Sequence, residues 1–140
     1  MKRSMVMSID LNDYKNFVNE VTSEPSKNND AYMRRIASLQ NQRTVDIPRL
    51  TTAAMGLTAE GGEFTEIVKK LLFQGKPLND DEIFHMKREL GDVMWYWMQA
   101  CMALDADPQE IIKMNVEKLE ARYPGGFDAF LSENRKDGDL

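Results

Sequence analysis

The sequence predicts an all-α bundle of four to five helices. Three observations carry that expectation. Apolar residues recur at alternating steps of three and four in two long segments. No segment shows a convincing strand-like alternation. The breaks between segments fall at glycine, proline and helix-capping side chains.

The elements follow in order. Leu11, Tyr14, Phe17, Val18 and Val21 mark a first helix, capped near Ser8 or Asp10. Residues 23–30 (SEPSKNND) read as a polar loop. Tyr32, Ile36 and Leu39 mark a short second helix, and residues 41–47 a connection. A long helix then runs from about Pro48 to Gln74, ended by Gly75 and Pro77. Asn79 with Glu82 three residues on has the form of a capping box and opens a helix over about 80–104. Asp107, Pro108 and Glu110 supply an N-cap, a first-turn proline and an early acid for a helix ending near Arg122. Tyr123-Pro124-Gly125-Gly126 breaks it. The expectation is one domain over 1–140, with a core at about 10–127. The charged tail, 128–140, is expected to be mobile or held by a partner.

Composition excludes several classes. The 140 residues carry a net charge of −5, which opposes a nucleic-acid polymer or an anionic membrane surface. No apolar stretch is long enough to span a bilayer, and the first residues lack a signal-peptide core. Cys101 is the only cysteine, so no internal disulfide forms. His85 is the only histidine and stands far from any serine or cysteine motif. A cytoplasmic protein is the expectation.

Two carboxylate pairs carry the chemistry. Glu60 and Glu63 stand in LTAEGGEFTEIVKK, and Glu89 and Asp92 in KRELGDVMWYW. Each pair is spaced i, i+3, so both members share a helix face. The stripe of the 48–74 helix reads Leu50, Ala53, Leu57, Glu60, Phe64, Ile67, Leu71, which puts Glu60 at an apolar position. An unpaired carboxylate there costs roughly several kcal/mol or takes up a proton. In the 80–104 helix the stripe is Ile83, Met86, Leu90, Val93, Trp97, Ala100 and Leu104, flanked by Glu89, Asp92 and Tyr96. Gly61, Gly62 and Gly91 lie within the pairs and suggest that a backbone or ligand comes close. Charged helix faces are usually solvated, here with Lys69 and Lys70 at hand. Two facing pairs, with one acid inside an apolar stripe, instead favour a cage for a hard cation such as Mg2+.

GLTAEGGEFTEIVKK followed by KRELGDVMWYW resembles the ExxE…ExxD signature of MazG-like nucleoside triphosphate pyrophosphohydrolases. NVEKLEARYPGGF resembles that family's Asn-x-x-Lys-Leu-x-x-Arg stretch, and DYKNFVNEVTS resembles its opening helix. The style is that of versions carried by tailed phages. The fuller family motif has a second glutamate where this chain has Ala59.

The resemblance implies Mg2+, with Mn2+ as a substitute, held by Glu60, Glu63, Glu89 and Asp92. It implies hydrolysis of (deoxy)nucleoside triphosphates to monophosphate and pyrophosphate by water attack at the α-phosphorus. Glu63 is the preferred residue to orient or deprotonate that water. Asn115, Lys118 and Arg122 share a helix face and suit phosphate recognition, with Lys69, Lys70 and Lys76 as further positive charge. Tyr96 is a candidate to stack on the base. Trp97 reads as core, Trp95 as a subunit contact, and Met86, Met94, Met98 and Met102 as core packing. A homodimer or homotetramer follows from the family, as does a host cytoplasm if the protein is phage-encoded. Other readings are a non-catalytic helical interaction module and a pyrophosphohydrolase for an alarmone such as ppGpp. A di-iron carboxylate bundle is rejected, because it needs a second Glu-x-x-His motif.

Overall fold

A computed structural model describes residues 8–139, and the chain divides into two compact units between Arg43 and Thr44. The described residues are all-α, with a lone Pro124–Gly126 bridge in place of any strand. Five helices of ten residues or more match the expected bundle, and two single-turn helices add to them.

The first unit holds α1 (Leu11–Glu20), α2 (Glu24–Lys27) and α3 (Asn29–Gln42). Of the two candidate caps for α1, Asp10 does the work. Its carboxylate accepts from the N–H groups of Asn12 and Asp13 at 2.8 and 3.2 Å. The polar segment expected as a loop contains α2. Pro25 falls in the first turn, where no N–H is needed and its fixed φ already suits a helix. Asn28 then caps α3, accepting from the Ala31 N–H at 2.9 Å.

The second unit holds α4 (Ile47–Phe73), α5 (Asp80–Ala103), α6 (Pro108–Arg122) and α7 (Ala129–Glu133). The 27 residues of α4 make a rod of about 40 Å. Gly75, at φ +66, turns the chain in a region that favours glycine. Asn79 accepts from the Glu82 N–H at 3.0 Å, which is half of the expected capping box. The Glu82 carboxylate goes elsewhere: it is buried and paired with Lys76 Nζ at 3.1 Å. At the far end, the Asp46 N–H donates to the Ala103 carbonyl at 3.0 Å. Arg49 donates to Gln99 Oε1 at 2.7 Å. These ties fix α4 and α5 as an antiparallel pair, the principal helix contact of this unit.

Small side chains line the pair. Among the described residues, Ala53, Cys101 and Ala103 are the buried apolar ones, and Gly56 is buried as well. Most large apolar side chains are exposed. Phe73 is 81% exposed, Phe127 79% and Met55 71%. Met94, Met98 and Met102, expected to be core, are exposed as well. An α4–α5 pair this closely spaced leaves no interior for them, so their side chains point off it.

The segment expected as a mobile or partner-held tail is held by this chain. Asp128 caps α7, and the chain then turns so that Asp139 meets Arg122. Among the described residues no helix is long and apolar enough to cross a membrane.

Candidate metal centre

The antiparallel α4–α5 pair sets Glu60 and Glu63 of one helix against Glu89 of the other. One carboxylate oxygen from each lies within 4.8 Å of the others. Glu60 and Glu89 are half-buried, and Glu63 is exposed. Among the described residues, no lysine or arginine forms a salt bridge with any of the three. Asp92 stands outside this closest trio, but it lines the same cleft, of about 460 Å³, with Glu63, Glu66 and Glu89.

The electrostatics are unfavourable without a counter-ion. The Glu89 carboxyl is pushed above the usual glutamate range. Its hydrogen-bonding approach to Glu60 is the main cause, followed by burial and by repulsion from Glu60; Glu63 pulls the other way and Asp92 adds repulsion. Two carboxyl groups can share a hydrogen bond only if one is protonated. With all of them ionised, Glu89 Oε2 is buried and has no partner. That orphaned oxygen is an acceptor waiting for either a proton or a cation. The donor set is all carboxylate oxygen, which suits Mg2+ or Mn2+. The residues present therefore fit a divalent cation.

The cleft has two further residues: His85, which the sequence reading weighed and set aside, and Arg88, which it did not name. His85 and Arg88 line it beside the acids. Positions 85, 88, 89 and 92 run i, i+3, i+4, i+7 along α5, so a single helix face holds all four. That spacing was the available signal. Arg88 also lies over the Phe84 ring, 5.8 Å from its centroid.

The glycines divide differently from the expectation. A Cβ on Gly61, Gly62 or Gly91 would meet nothing within 4 Å, so the described residues make no close approach at those positions. The close approach is at Gly56, where a Cβ would fall 2.0 Å from the Tyr96 ring. Tyr96, a candidate base-stacking residue, thus spreads its ring over the Gly56 backbone, with Trp95 edge-on at 4.9 Å. Trp95 is exposed and Trp97 half-buried.

Lys69 and Lys70, candidates for phosphate contact, both bond Glu66, at 2.7 and 3.4 Å. Lys69 holds the Glu66 carboxyl below its ordinary range. Lys76 is engaged by Glu82. Asn115 and Lys118 are exposed on α6. Lys118 and Arg122 line a second cleft, formed with residues 131–139, and none of the four acids borders it. The acids and the Lys118–Arg122 pair therefore occupy different clefts in this chain.

Residues 49–127, spanning α4 to α6, match the MazG nucleotide pyrophosphohydrolase domain. The match begins beyond α1, whose segment had looked like an opening helix of that family. A gene 37 protein of Mycobacterium phage L5 is 33% identical over 90 residues, covering 64% of this chain and 79% of the phage protein. No solved structure matches the chain. The matched stretch contains both acid pairs, the antiparallel helices that bring them together and the α6 motif, and on that ground the chain belongs to the MazG nucleotide pyrophosphohydrolase family.

Proposed function

We propose that this protein is a divalent-metal-dependent hydrolase that converts (deoxy)nucleoside triphosphates to nucleoside monophosphate and pyrophosphate. One observation carries the reading: three carboxylates from two helices converge within 4.8 Å, with a buried oxygen left unpartnered. Glu60, Glu63 and Glu89 would hold the cation, with Asp92 completing the set from the same cleft wall. A bound Mg2+ supplies charge neutralisation for the polyphosphate and a lowered pKa for water.

The side chains do the rest. Glu63, the exposed member of the trio, accepts a proton from the attacking water. The water oxygen bonds to the α-phosphorus. The bond from that phosphorus to the bridging oxygen breaks, and pyrophosphate leaves. Arg88 lies where it can offset charge on the departing phosphates, and His85 lines the same cleft.

The test is product analysis with NTPs, dNTPs and ppGpp, run with Mg2+, with Mn2+ and with EDTA. We expect monophosphate and pyrophosphate from a triphosphate, and none in EDTA. An alarmone turned over in preference to every triphosphate would move the assignment to that substrate. A folded, metal-supplied protein that hydrolyses nothing would favour the interaction-module reading.

The working form is a homodimer or homotetramer. Support comes from the apolar side chains that the single chain leaves in water, Phe73, Met94, Trp95, Met98 and Met102 among them. Light scattering should give two or four protomers, and a monodisperse monomer at micromolar concentration would refute this. A relative carried by a phage fits a place of action in a host cytoplasm.

A further inference from the structure

The chain is acidic overall, with 18 basic residues against 23 acidic ones. Yet one cleft collects positive charge. Lys118 and Arg122 from α6 meet Arg135 and Lys136 from the following segment around a space of about 190 Å³. That is several times the roughly 30 Å³ that one water occupies in the liquid. Among the described residues that line it, Asp139 is the one carboxylate beside the four cations.

Asp139 is held as an anionic ligand would be. Arg122 Nε donates to Oδ2 at 2.7 Å, and Nη2 donates to Oδ1 at 2.6 Å. This two-pronged geometry is the one that guanidinium groups offer to carboxylate and phosphate alike. Both side chains are well shielded, Arg122 at 11% exposure and Asp139 at 19%. The Arg122 contact holds the Asp139 carboxyl below its ordinary range, and Arg135 and Lys118 add attraction. A tight turn delivers the carboxylate: the Asp139 N–H donates to the Lys136 carbonyl at 3.0 Å, and Gly138 has φ +86. Among the described lining residues, one negative charge faces four positive ones, an excess of positive charge.

We propose that the cleft between α6 and residues 131–139 is a phosphate-binding site, and that the Asp139 carboxylate is its built-in occupant, displaced when a phosphate-bearing ligand enters. The inference rests on reading α6 as a phosphate-recognising helix. It does not depend on turnover or on the acid trio. An internal occupant lowers the apparent affinity by the fraction of time that it fills the fork. A fork filled nine-tenths of the time binds about tenfold more weakly than a free one.

The test is calorimetric titration of inorganic pyrophosphate in EDTA, which keeps the acid trio out of the measurement. Asp139→Asn should bind pyrophosphate about tenfold more tightly than the unaltered protein, and Arg122→Gln should abolish the gain in the Asp139→Asn background. Lys118→Gln, on the exposed face of α6, gives the same check with little risk to folding; it should weaken binding. Repeating the titration with a nucleoside monophosphate separates the sources. A gain for both ligands assigns the cleft to phosphate-bearing ligands generally, and a gain for pyrophosphate alone assigns it to the free oxyanion. Equal, weaker or absent pyrophosphate binding in Asp139→Asn overturns the proposal and leaves the pair as a structural clamp.

Discussion

Glu60→Gln and Glu89→Gln are each expected to lower metal-dependent turnover by about 10³-fold or more, with the fold intact. The magnitude follows from the chemistry. A metal site supplies several kcal/mol of transition-state stabilisation, and each roughly 1.4 kcal/mol is a factor of ten in rate. An amide keeps the shape of the carboxylate but loses the charge that holds the cation. Adding Mg2+ should raise the melting temperature of the unaltered protein, because only the folded state has the site, and should leave both variants unchanged. Asp92→Asn should weaken metal binding less, since Asp92 stands outside the closest trio. Full turnover in both glutamine variants would remove the acid trio from the mechanism.

The same substitutions separate the site's electrostatics from its catalysis. In the metal-free protein the Glu89 carboxyl is raised above its unfolded value, chiefly by Glu60. A raised carboxyl binds more protons folded than unfolded. Stability without metal therefore falls as pH rises from the ordinary glutamate range through the raised value. Glu89→Gln should flatten that slope. Mg2+ should bind more tightly across the same window, since binding needs the ionised form. A slope that persists in Glu89→Gln would place its origin elsewhere.

The helical periods and caps of this chain were readable because they are local. Asp10, Asn79 and Asp107 all cap helices as their spacing suggested. The acid pairs were readable as local i, i+3 motifs, and the short connection between Phe73 and Asp80 turns α5 back along α4, which lets Glu60 and Glu63 meet Glu89. What the sequence hid was long-range. Asp139 reaches Arg122 across a 17-residue separation, and no local pattern announces that pairing. The burial of Met94, Met98 and Met102 was misread for a related reason. A stripe shows that a face is apolar, not whether the same chain covers it. At the glycines, no described residue of this chain approaches Gly61, Gly62 or Gly91, and the position crowded by a neighbour, Gly56, lies a turn earlier.

Gly56→Ala is expected to destabilise the protein by about 2 kcal/mol, lowering the melting temperature by several degrees. In an open helix the same change should stabilise by about 0.5–1 kcal/mol. Gly61→Ala, whose new methyl would meet nothing within 4 Å, should do that and serves as the control. The opposite sign at Gly56 comes from overlap: a Cβ there falls 2.0 Å from one Tyr96 ring atom and 2.1 Å from another, so the ring or the helix must move. Tyr96→Ala removes the obstacle, so the two changes should be strongly non-additive in a double-mutant cycle. The consequence reaches the metal centre. Gly56 lies four residues before Glu60 on α4, and Tyr96 four residues after Asp92 on α5, one turn from the acids on both helices. Wedging the helices apart at Gly56 should therefore pull Glu60 from Glu89 and weaken Mg2+ binding in calorimetry. Tyr96→Ala in the Gly56→Ala background should restore it in part. If Gly56→Ala instead raises the melting temperature as Gly61→Ala does, the ring does not set the α4–α5 spacing, and the convergence of the acids must be fixed by the ties at the two ends of the helix pair.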